Sequence, residues 1–168
     1  MNHTLKSYGP VPLRLMLAAG FLYHGLPKFT AEGHRMFAGM LQGIGIPSPE
    51  PVAWFVGGVE VLGGLLLLLG LLVRLAVLPL LVDMLVAMFT VHWASGFNAI
   101  NLTGQGPAGP TFGMPGYEFS LLYISILTAL WFTGAGRWSL DALRERPEEI
   151  PREPGLRARR ETEQPIGI

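Results

Sequence analysis

The sequence predicts an all-α fold: an integral membrane four-helix bundle followed by a disordered C-terminal tail. Three observations carry that reading. Half of the 168 residues are hydrophobic and only 14% are charged, where a soluble domain holds nearer a quarter charged; mean hydropathy is +0.41. Four runs are long and apolar enough to cross a hydrocarbon core, which takes about 20 helical residues. Those runs are continuously apolar, without the alternation of a transmembrane barrel strand.

The first span is expected over 11–28, VPLRLMLAAGFLYHGLPK. Arg14 interrupts its apolar character and no small-residue cleavage site follows, so it reads as a retained span rather than a signal peptide. The second, over 51–72, follows the breaker Gly45-Ile46-Pro47-Ser48-Pro49-Glu50-Pro51, with Pro51 suited to a first helical turn. A connection as short as Leu72-Val73-Arg74 implies an antiparallel neighbour over 74–95, where Pro79 is tolerable inside a membrane helix. Residues 96–115 form an uncharged Gly/Pro-rich loop, of a length usually functional or disordered. The fourth span runs over 116–135. Trp54, Trp93, Trp131 and Trp138 stand near span ends, the depth that aromatic rings favour.

The chain therefore divides into an N-terminal segment 1–10, a transmembrane domain 11–140 and a charged tail 141–168, whose Pro, Glu and Arg residues cannot build a core. An even number of spans puts both termini on one side. That side gathers Lys6, Arg74 and the arginines from Arg137 onward, against only Lys28 and Arg35 opposite, so both termini are expected in the cytoplasm. Net charge is zero and there is no cysteine; a disulfide framework and a thiolate metal site are excluded. No nucleic-acid partner is expected.

A charge in lipid costs at least about 2.5–3.5 kcal/mol, so intramembrane ionisable residues are the informative ones. His24 and Lys28 are four apart and share a helical face. His92 lies about 27 Å along its helix from Arg74, and Glu60 about 13 Å below Pro51. With Glu118 opening the last helix, the groups His24, Lys28, Glu60, His92 and Glu118 converge on the outer half of the bundle as a polar intramembrane pocket. Lys28 can pair with Glu118 or Glu60. Arg14 and Asp83, placed deeper, form a structural ion pair, unless tilting brings Arg14 to Glu60. The bland reading of each group is snorkelling, a helix-terminus charge or a hydrogen-bonded core histidine. Gly57-Gly58 and Gly63-Gly64 bracket Glu60 and read as close helix packing. No metal site is assigned, because no His/Glu pair at i, i+3 or i, i+4 shares a helix. One His24/His92 pair is a sparse signature for haem.

These residues resemble the DoxX family: Arg14, His24-Gly25-Leu26-Pro27-Lys28, Val59-Glu60-Val61-Leu62-Gly63-Gly64, His92-Trp93 and Gly116-Tyr117-Glu118. The resemblance spans about 11–140. It implies a bacterial inner-membrane four-helix bundle, similar to subunits of a thiosulfate:quinone oxidoreductase and to members linked with quinone or oxidative stress. Quinone is then the expected cofactor, and Arg14, His24, Lys28, Glu60, His92 and Glu118 match the family's polar positions. Without cysteine, the chain is expected to act as an accessory beside a redox partner protein, in the lipid bilayer and as a homo-oligomer if a larger path is needed. Two other functions compete: a non-enzymatic scaffold whose Arg/Glu tail docks a partner, and a small-solute transporter, for which no inverted repeat is visible.

Overall fold

The computed structural model describes residues 7–144. Helix α1 is Pro10–Gly25, continued by a tight 3-10 turn at Leu26–Phe29. Helix α2, Ala31–Gly43, is followed by α3, Pro49–Leu69, and α4, Val73–Ala87. The α4 helix continues through a π turn at Met88–His92 and a 3-10 turn at Trp93–Ser95. A hairpin of β1, Leu102–Gly106, and β2, Gly109–Phe112, precedes α5, Glu118–Thr133, and the short α6, Leu140–Arg144. The all-α class holds, with one two-stranded addition.

The four apolar helices pack in a closed ring: α1 on α3, α3 on α4, α4 on α5, and α5 back on α1. Leu17, Ala18 and Phe21 of α1 meet Leu67, Val77, Leu80, Leu127 and Leu130 in one buried cluster. On α3 the inward face is made mostly of small side chains. Helix α3 buries Ala53, Gly57, Glu60, Gly63, Gly64 and Leu67, while its Phe55, Leu62, Leu65, Leu68 and Leu69 face outward. Small residues inside and large apolar ones outside suit a bundle held by close helix approach in lipid.

By length and composition two helices can cross a membrane, Pro49–Leu69 and Val73–Ser95, each with mean hydropathy 2.1. The other two are shorter than the expected spans. Each has 16 residues, or about 24 Å of rise. Pro27 tightens the chain after α1, and Gly134, at φ 73°, ends α5.

Two connections differ from expectation. Thr30 caps α2 by accepting from the Gly33 amide at 3.1 Å, so the stretch after the first span is a helix, its Ala38 and Leu41 packed on Ala53 of α3. The 96–115 loop has structure of its own. Its hairpin is closed off where Tyr117 N–H donates to Gly96 O and Glu118 N–H to Phe97 O, both at 3.0 Å, and Trp93 stacks on Tyr117 with centroids 5.0 Å apart.

At the opposite end, Gly70 adopts φ 63° in the α3–α4 turn. A Cβ there would come within 2.5 Å of Arg14 Nη1 and of Ser139 Cβ, so only glycine fits. Residues 141–144, the start of the expected disordered tail, belong to α6. Ser139 caps α6 by accepting from Ala142 N–H at 3.1 Å, and Asp141 accepts from the amides of Leu72 and Val73 at 2.8 and 3.1 Å. The expected segment through Lys6 and the tail from 145 onward lie outside the described residues.

Candidate functional site

Glycines set the distance between α1 and α3. A Cβ on Gly25 would lie 2.9 Å from Glu60 Cβ, and one on Gly57 would lie 3.2 Å from Lys28 Cβ. Because both positions lack that atom, Lys28 folds inward from the 3-10 turn and forms an ion pair with Glu60. Both residues are buried, 8% and 7% exposed. The ammonium also donates to His24 O at 3.0 Å and sits 4.5 Å from the centre of the Phe37 ring of α2. Its three N–H bonds therefore face a carboxylate, a carbonyl and a π surface, and burial is compensated on each side.

Asp83 joins this pair from α4. It is half-buried and lies within electrostatic reach of both Glu60 and Lys28. The pair expected between Arg14 and Asp83 is not formed, because Arg14 is turned to the other end of the bundle. There its guanidinium donates to Leu67 O and Leu68 O, each at 3.0 Å, and to Trp138 O. It donates to carbonyls at the α3 C-terminus, one of which, Leu67 O, also accepts from Gly70 N–H, and its Nε is buried without a partner among the described residues. Helix rise contained the signal for Asp83. Nine residues above Arg74 is about 14 Å, close to the depth of Glu60.

The remaining predicted residues are arranged more loosely. His24 is exposed, with electrostatic reach to Lys28 and His92. His92 is half-buried on the π turn, its Nδ1 2.9 Å from Pro115 O; π turns recur at functional sites. Glu118 is exposed and turned away from the cluster, accepting from the Ala99 amide at 2.8 Å. It fixes the hairpin loop. A further contact, not visible in the sequence, joins His34 Nε2 to a Glu50 carboxylate oxygen at 2.6 Å, with the His34 ring stacked on Trp54 at 4.3 Å. No cluster of three or more metal-ligating side chains occurs among the described residues.

A sequence model of the DoxX family matches residues 9–93, which contain α1 through α4 and thus Lys28, Glu60 and Asp83. The chain belongs to the DoxX family. It is 34% identical to an uncharacterized membrane protein of Mycobacterium tuberculosis over 145 residues, covering 82% of this chain and 83% of that one. Two uncharacterized proteins of Haemophilus influenzae are each 32% identical, one covering 78% of this chain and 80% of its own, the other 84% and 96%. No solved structure matches. Together with the outward-facing leucines, these relatives make this a DoxX-family membrane protein in contact with the lipid bilayer.

Proposed function

We propose that this DoxX-family protein is a quinone-linked redox accessory subunit of the bacterial inner membrane, crossing it four times with both termini in the cytoplasm. The observation that carries the reading is a charge count. Lys28 is one cation facing two carboxylates, Glu60 and Asp83, between apolar helices. Uncompensated negative charge is expensive away from water. The balance is restored by a proton or by a ligand that donates a hydrogen bond, and Asp83, which makes no hydrogen bond among the described residues, is where it would be received.

The residues suit a quinone head group. His24 offers a ring nitrogen at an exposed position, between exposed Tyr23 and Leu26, which supply apolar surface for a ring and tail. His24 would hydrogen-bond one oxygen; Asp83 would donate to the other when protonated and accept from the quinol hydroxyl when ionised, and Lys28 and Glu60 would keep the two helices in register. When bound, the quinone supplies a two-electron, two-proton carrier, with electrons delivered by a redox partner protein.

A second reading is favoured by one observation: Lys28 and Glu60 satisfy each other, as they would in a scaffold with no ligand. Equilibrium binding of a short-chain menaquinone and of ubiquinone to the protein in nanodiscs separates the two. The accessory reading expects saturable binding that weakens about tenfold or more, at least 1.4 kcal/mol, in D83N and H24A. Absence of saturable binding, or binding indifferent to both substitutions, gives the scaffold.

A further inference from the structure

At the Arg14 end, away from the charged cluster, a cavity of about 570 Å³ opens between the start of α4 and the end of α5. Its lining includes Arg74, Thr133, Gly134, Arg137, Ser139 and Asp141. Both arginines are exposed, and neither forms an ion pair among the described residues. Arg137 is held in place by its backbone, which donates to Ser7 O at 2.8 Å, and its guanidinium lies 5.3 Å from the Tyr8 ring centre. The acid in the cavity does not cancel them. Asp141 is engaged by the Leu72 and Val73 amides and lies within reach of Arg14.

The surroundings are those of a membrane surface. Leu72 and Leu75 line the cavity and are exposed, and Phe132 and Trp138, the sequence neighbours of lining residues Thr133 and Arg137, are exposed as well, apolar side chains next to two cations at the ends of apolar helices. We propose that this cavity binds the phosphate group of an anionic phospholipid, with Arg74 and Arg137 on the phosphate and the acyl chains along the exposed leucines and Phe132. Basic pockets between helices at the cytoplasmic face are suited to such head groups, and guanidinium groups to phosphate oxygens. The dipole at the α5 C-terminus accounts for Arg74 alone. It does not account for Arg137, which follows that helix and is brought to the same cavity by a separate backbone contact. The inference rests on the membrane placement of these helix ends and is independent of quinone binding.

Full-chain protein in detergent, mixed with phosphatidylglycerol or phosphatidylcholine, is assayed for retained lipid by native mass spectrometry. The expected result is a preference for phosphatidylglycerol that drops about 30-fold in the R74Q/R137Q double variant and is kept in R144Q. Equal retention of both lipids by the unaltered protein, or an undiminished preference in R74Q/R137Q, overturns the proposal. Phenylglyoxal labelling of the unaltered protein needs no variant to fold. Phosphatidylglycerol vesicles should shield Arg74 and Arg137 while Arg144 stays reactive, and failure to shield the pair overturns the site. Equal shielding by inorganic phosphate overturns the lipid assignment and leaves a small-anion site.

Discussion

Lys28 touches three elements through one ammonium group: Glu60 on α3, the His24 carbonyl on α1 and the Phe37 ring on α2. Removing one member of a buried pair strands the other, which typically costs roughly 3–5 kcal/mol, whereas an apolar replacement of both is close to neutral. K28M and E60M are therefore each expected to destabilise by roughly that amount, and K28M/E60M by much less than their sum. Unfolding in mixed detergent–SDS micelles measures all three, and additive single effects would contradict the pair. The pair was half-legible in the sequence. Spacing put Lys28 and Glu60 on adjoining spans at compatible depth, but Glu118 met the same criteria, and only helix rotation separates them. The pairing of Arg14 with Asp83 was argued from shared depth and opposite charge. It failed because an arginine can also donate to carbonyls at a helix C-terminus, partners that leave no trace in side-chain chemistry.

At the scale of elements, the glycines of α1 and α3 differ sharply in what they face. A Cβ on Gly25 would meet Glu60 and Val61 at 2.9 Å, whereas one on Gly58 would meet nothing within 4 Å. G25A should destabilise by about 1–3 kcal/mol through overpacking and push α1 from α3. G58A should be neutral or stabilise by up to about 1 kcal/mol, since alanine is the better helix former. Thermal unfolding of the two variants decides the matter; a G25A protein as stable as the parent would mean the helices are not in close contact there. The paired glycines marked the packing face in the sequence without saying which neighbour each would meet. In the structure Gly63 faces Leu80 of α4 and Gly64 faces Leu22 and Ala18 of α1. Helix α2 was not foreseen. Its AEGHRMFAGMLQG sequence is too short and too polar to register as a span, and only the Thr30 cap announces it. The hairpin was hidden for a related reason, since Gly and Pro suggest a turn but not the pairing of the strands around it.

Over the whole molecule, two helices are long enough to cross a bilayer and two are near the limit, so sidedness is the property to measure. The chain lacks cysteine, and single cysteines can be placed without background. A108C at the hairpin tip should react with a membrane-impermeant maleimide in intact cells, and L143C on α6 only after permeabilisation. Labelling of both positions in intact cells would rule out four crossings with a cytoplasmic C-terminal end. The membrane class was readable from the sequence, because the chain carries only 14% charged residues and four apolar runs near the length of a span.

The bonds made by Arg14 connect residues far apart in time as well as in space. Its acceptors are the carbonyls of Leu67 and Leu68, more than fifty positions later, and Trp138, 124 positions later. At ribosomal speed the last of these emerges on the order of ten seconds after the arginine. Until then the nascent first helix carries a guanidinium whose full set of acceptors has not been made, and it must wait in the insertion machinery or at the aqueous boundary. A chain ending before Trp138 would keep the Leu67 and Leu68 acceptors for Arg14 and lack the third.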